Sequence, residues 1–193
     1  MAVEYVNRRG QQYRLYARKT KKDKLSYYMA MKSEGALVES VPDGYEIYED
    51  PNARIYIRKI RPKVFTDAEV SLVENAVREY SALTDFRIEL KGNSIVIFEP
   101  DQTDDWIAEI SKLLAPFNPG RAVREIRKTV SYSQVMRFVL IDRESRMFEV
   151  ERWWFTEDEW IYLDGPDDLR KLARRYCRHL GRESLYELPY LYL

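Results

Sequence analysis

The stretch RMFEVERWWF, from Arg146 to Phe155, decides how the rest of the chain is read. Successive side chains of a strand point to opposite faces, and this segment divides that way. Phe148, Val150, Arg152 and Trp154 form one set, and Met147, Glu149, Glu151, Trp153 and Phe155 form the other. The first set is the better core face. The second is polar in its middle and aromatic at its end. The indoles of Trp153 and Trp154 are therefore expected on opposite sides of one extended segment.

QVMRFVLI (134–141) is rich in β-branched and aromatic residues and reads as the preceding strand, with DRES (142–145) as its turn. TEDE (156–159) reads as the next turn and WIYL (160–163) as a third strand. A helix follows. Pro166 suits its first turn, Asp167 and Asp168 its positive end and Gly181 its C′ position, with Leu169, Leu172, Ala173, Tyr176 and Leu180 as its buried face.

Upstream, Thr66 and Glu69 have the spacing of a capping box, and Phe65 and Val70 that of a hydrophobic staple. They predict a helix over about 67–82 with Val70, Val73, Val77 and Tyr80 on its apolar face. FRIELKGNSIVIFEP (86–100) reads as a hairpin about Gly92-Asn93, a type II′ turn. Trp106, Ile110 and Leu113 form the stripe of a second helix, capped by Asp101 or Thr103 and limited by Pro116; FNPGR (117–121) reads as a loop. Residues 3–32 read as strand, turn, strand, and YEIYE (45–49) with ARIYIRKI (53–60) as a further strand pair. The expected class is α+β, mainly antiparallel β-sheet with about three principal α-helices. Residues 1–193 are expected to form one compact unit or two intimate lobes: 1–118, β-rich with two helices, and 124–193, a β-meander plus a helix.

With 45% hydrophobic residues, the chain of 193 has enough apolar material to bury a core. The single cysteine, Cys177, excludes an intramolecular disulfide and fits a reducing compartment. No apolar run of membrane-spanning length is present, so a cytoplasmic protein with no membrane partner is expected. Walker A, dinucleotide and nucleophile-elbow patterns are absent, and no cofactor or metal is expected. Lys+Arg and Asp+Glu balance at 32 each. The balance conceals a split: residues 1–65 hold 14 basic and 8 acidic side chains, and the remainder 18 and 24.

Arg14, Tyr16, Arg18, Lys19, Lys21, Lys22, Tyr27 and Tyr28 interleave cations with aromatic rings. Cations neutralise phosphates and rings stack on bases, so these eight are nucleic-acid-binding candidates; a solvated, Lys-rich hairpin tip explains the same residues without a ligand. Trp153 and Phe155 are candidates for a protein-partner surface. Arg170, Lys171, Arg174, Arg175 and Arg178 form a basic helix face that either binds phosphate or pairs with the acidic residues at 144–159, the pairing being favoured. Glu89-Leu90-Lys91, with Asp67 or Asp85 as a further ligand, is the weak signal for a metal-dependent phosphodiesterase. Asp164, Asp167 and Asp168 read as helix capping, and His179 as dipole compensation. Cys177 and His179, two positions apart on a helix, do not face each other. The apolar end SLYELPYLYL (184–193) is expected to dock on its own domain, or else on a second copy in a homo-oligomer. The leading expectation is a non-catalytic binding protein for a protein or nucleic-acid partner, with the phosphodiesterase as the alternative.

Overall fold

A computed structural model describes residues 2–32 and 35–188. The fold is α+β and mainly sheet. In chain order the strands and helices are β1 (Glu4–Val6), β2 (Gln12–Lys19), β3 (Leu25–Ala30), β4 (Ala36–Leu37), β5 (Tyr45–Glu49), β6 (Ile55–Lys59), α1 (Asp67–Tyr80), β7 (Arg87–Lys91), β8 (Ser94–Pro100), α2 (Asp104–Leu114), α3 (Pro119–Thr129), β9 (Tyr132–Asp142), β10 (Met147–Trp154), β11 (Glu159–Asp168), α4 (Leu169–Tyr176) and α5 (Ser184–Glu187). All strand pairings are antiparallel. The chain divides into two compact units, one from its start to Pro62 with Ile107–Val130, the other Lys63–Trp106 with everything from Ser131 on.

In the first unit β2 is central, with β3 along one edge and β1 followed by β4 along the other. The Asn-Arg-Arg-Gly turn between β1 and β2 is held by Asn7, whose carbonyl accepts from the backbone N–H of Arg9 and Gln11. Its amide donates to Ala53 in the turn of the β5–β6 hairpin at 2.8 Å. One buried side chain thereby joins two hairpins, an anchor for a unit with few large buried residues.

The second unit is a five-stranded sheet, β11-β10-β9-β8-β7, with α1 and α4 packed on one face. The alternation expected for β10 holds as far as Arg152: Phe148, Val150 and Arg152 are buried and Met147, Glu149 and Glu151 partly exposed, but Trp154, expected on the core face, is only half-buried. Phe148 and Val150 join Val73 and Val77 of α1, Ile95 and Ile97 of β8, Phe138 of β9 and Leu172 of α4 in one apolar cluster. The capping box forms as expected. The Glu69 N–H donates to Thr66 Oγ1 at 3.2 Å and the Thr66 N–H to Glu69 Oε2 at 2.8 Å. Gly92 and Asn93 lie between the paired residues Lys91 and Ser94, with Gly92 at φ +60°.

Three expectations need correction. FNPGR is not all loop: Asn118 accepts from the Arg121 N–H, Pro119 is the first helical residue, and α3 runs from there to Thr129. Pro is pre-organised for that position, and Asn is a strong N-cap. Pro166 is not in the last helix. It lies in β11, next to Gly165, where the pairing with β10 slips by a bulge; Asp168 is the N-cap and Leu169 the first helical residue. A side chain at Gly165 would collide with the backbone of Phe148 and Glu149, and its φ of +121° is glycine territory. Lastly, Ile107 and Ser111 are the buried residues of α2, so Trp106, Leu113 and Leu114 are exposed, the last two at 76% and 68%.

The chain end docks as expected as far as it is described, with Leu185 and Leu188 buried in the second unit's core. Residues 189–193 of that expectation lie outside the described residues. No helix among the described residues is long and apolar enough to cross a membrane.

Candidate interaction surfaces

The β2–β3 register places Arg14 opposite Ala30, Tyr16 opposite Tyr28 and Arg18 opposite Ser26. Strand alternation therefore puts Arg14, Tyr16, Arg18 and Tyr28 on one face. Tyr16 and Tyr28 stack at 5.7 Å between ring centroids, and the Arg18 guanidinium sits over the Tyr28 ring at 5.4 Å. Tyr16 is 5% exposed, so its ring is part of the unit's core and offers little to a base. Tyr27 is on the opposite face, edge-on to Tyr45. Lys19, Lys21 and Lys22 are exposed at the far end of the hairpin, with Lys19 paired to Asp23 at 3.0 Å in full solvent. Arg14 pairs with Glu4 across the β1–β2 ladder. The eight candidates thus separate into a stacked face, a lysine tip and one ring on the other side.

Sequence reading missed the cations of α3. Arg121, Arg124 and Lys128 recur at three and four residues along this helix, all exposed. Its C-terminal carbonyls, at Thr129 and Val130, accept from Arg9 in the β1–β2 turn. The basic helix and the basic hairpins belong to the same unit, which in sequence holds 18 Lys+Arg and 10 Asp+Glu, a balance of +8. The other unit holds 14 and 22, a balance of −8. Charge follows the folded units more sharply than it follows chain position.

Trp153 is partly buried, packed edge-on against its cross-strand partner Trp160 at 5.1 Å, and the Arg137 guanidinium stacks over Trp160 while pairing with Glu151. Phe155, 48% exposed, lies past the end of β10 and turns toward Tyr186 of α5. The backbone carbonyl of Tyr186 also accepts from Arg152, a core-face residue. Strand alternation stops at Trp154, so Trp153 and Phe155 pack against different partners.

The remaining signals resolve into local structure. Glu89 pairs with Lys91, Asp67 with Lys63, and Asp85 takes Arg87 and the Tyr132 hydroxyl. Among the described residues no three His, Cys, Asp or Glu side chains are grouped to hold a metal ion. Asp168 caps α4, Asp167 pairs with Lys171, and Asp164 takes Arg175 and the Tyr176 hydroxyl. The acids that α4 engages are these, rather than those at 144–159. Burial and the neighbouring Arg178 and Arg182 hold His179 below the ordinary imidazole range, which works against the charged form that dipole compensation uses; its Nδ1 faces Ser184 Oγ at 3.0 Å. Burial pushes the Cys177 thiol up to about 12, so it stays protonated.

A cleft of about 550 Å³ in the second unit gave no signal in the sequence. Glu99, Thr84, Asp104 and Tyr186 line it, and burial pushes the Glu99 carboxyl above the ordinary range. Compared with known proteins, the chain matches no family, no curated protein and no solved structure.

Proposed function

We propose that the protein is a non-catalytic binding protein whose basic unit engages the phosphate backbone of a single-stranded nucleic acid. The observation that carries this reading is the +8 balance of that unit, with Arg18, Lys19, Lys21, Lys22, Arg121 and Arg124 exposed on it. Lys and Arg side chains that neutralise phosphates release condensed counterions, which makes binding strong at low salt and steeply salt-dependent. Base stacking is the lesser contribution, because Tyr16 is buried against Tyr28 and Tyr27 faces the other side. The stacked pair serves instead as the rigid support on which Arg14 and Arg18 are displayed.

Titration of a fluorescent oligonucleotide across salt tests it. Engagement of three or four phosphates weakens binding about 20- to 50-fold between about 50 and 200 mM salt. Replacing Arg18, Lys19, Lys21 and Lys22 together by Ala flattens that dependence. Binding that is absent, or indifferent to salt, would remove the reading. A second reading, a protein partner, draws on the half-buried Trp153–Trp160 pair and, separately, on the exposed Phe155. It predicts a complex that tolerates salt and is lost in Trp153→Ala.

A further inference from the structure

Between α1 and α4 the second unit carries a groove of about 490 Å³. Ser71, Asn75 and Glu79 line it from α1, and Arg170, Lys171 and Arg174 from α4. Ser71, Asn75 and Glu79 recur every four residues, as do Arg170 and Arg174, so each helix turns one polar row to the groove.

The two arginines are out of keeping with their surroundings. In a unit with 22 acidic and 14 basic side chains, cations have carboxylates to choose from. Arg78 takes Glu74, Arg87 takes Asp85, Arg146 takes Glu69, and on α4 itself Lys171 takes Asp167 and Arg175 takes Asp164. Among the described residues Arg170 and Arg174 form no ion pair, although like charges one helical turn apart repel. The one carboxylate in the lining, Glu79, forms no ion pair with either arginine. Opposite the arginines, Asn75 accepts from Arg78 with its carbonyl, which leaves its NH₂ to donate, and the Ser71 hydroxyl is exposed beside it.

We propose that this groove binds a phosphoryl oxyanion, free or carried on a small molecule, gripped by Arg170 and Arg174. A guanidinium presents paired N–H groups that match two phosphoryl oxygens, and the anion removes the repulsion between the two cations. Asn75 and Ser71 donate to the oxygens that remain. Four donor groups suit the three terminal oxygens of a phosphoryl group better than the two of a carboxylate. Leu72 and Ala76 supply an apolar wall for a short carbon chain. The site belongs to the acidic unit and does not depend on the nucleic-acid reading of the basic one.

Thermal unfolding at constant ionic strength tests this, with inorganic phosphate, glycerol phosphate, acetate and chloride as the probes. Phosphate at about five times its Kd is expected to raise Tm by about 2–4 °C, and acetate to leave it at the chloride value. Arg170→Gln and Arg174→Gln are each expected to abolish the rise. In chloride they unfold no earlier than the parent, because each removes one of two repelling cations. A glycerol phosphate Kd below that of phosphate assigns a carried group, and equal values a free ion. No rise in the parent, a rise that survives both substitutions, or equal rises in phosphate and acetate would overturn the assignment. So would a loss of oligonucleotide affinity in the same two variants, which would make the groove part of a nucleic-acid surface.

Discussion

Glu69 and Glu99 carry the same group into opposite surroundings. Burial alone would raise the Glu69 carboxyl, but a two-pronged pair with Arg146, at 2.8 and 2.6 Å, and the N–H and hydroxyl of Thr66 hold it below the ordinary value of 4.5. Such a group stabilises the fold above pH 4.5, and its contribution disappears as pH falls through the lower folded value. Glu69→Gln is expected to cost about 2 kcal/mol in urea unfolding near neutrality, with the gap closing in acid. Burial, with the Asp101 charge adding to it, raises Glu99. Its contribution is complete below 4.5 and is lost as pH rises through the higher folded value. Glu99→Gln, neutral at every pH, should therefore unfold at higher urea than the parent near neutrality and together with it in acid. A Glu99→Gln variant weaker than the parent at neutral pH would mean that the fold depends on the charged carboxylate. Half of this was legible in the sequence. Thr66 lies three residues from Glu69 and announces the cap, whereas Arg146 comes from a turn far along the chain and Glu99 from the end of a strand with nothing in its spelling to mark it.

At the scale of elements, short-range chemistry was readable wherever the fold obeys it. The β10 alternation, the Gly92-Asn93 turn and the α1 cap each depend on residues within a few positions of one another. The failures at Pro166 and at α3 share one cause: proline suits both a helix start and a break in regular structure. At Asn118-Pro119 the helix wins, because Asn118 caps it; at Gly165-Pro166 the strand continues through a bulge. The outward face of α2 was equally beyond reach, since a helical stripe states that a face is apolar but not that anything covers it. α3 has no buried residue of its own. Ala122, Val123 and Ile126 are half-buried, and the helix is tied at its ends by the Asn118 cap and by Arg9 on its last carbonyls. Asn118→Ala, costing about 1 kcal/mol locally, should speed amide exchange about fivefold within α3 and leave the β8 and β9 amides unchanged. Uniform acceleration across both would show that α3 opens only with the whole fold.

For the molecule as a whole, the net charge of zero is the least informative of its electrostatic facts. The sequence split of 14 against 8 before residue 66 was visible, but its meaning was not, because Ile107–Val130, with 5 basic and 2 acidic side chains, returns to the basic unit only through the fold. A chain whose units carry +8 and −8 attracts its own copies, basic surface to acidic surface, without any patch evolved for that purpose. The attraction is strongest near the isoelectric point of about 6.7, where no net repulsion opposes it. The Debye length shortens from about 30 Å at 0.01 M salt to about 8 Å at 0.15 M, so the attraction should fade over that interval. Static light scattering at pH 6.7 should accordingly give a negative second virial coefficient at low salt that climbs toward positive values as NaCl is added. Changing Lys19, Lys21 and Lys22 to Glu shifts the basic unit from +8 to +2 and should move the low-salt coefficient upward as well. A coefficient independent of salt in the parent would mean that the opposite charges are already satisfied within one molecule. That result would also remove the free positive field on which the nucleic-acid reading depends.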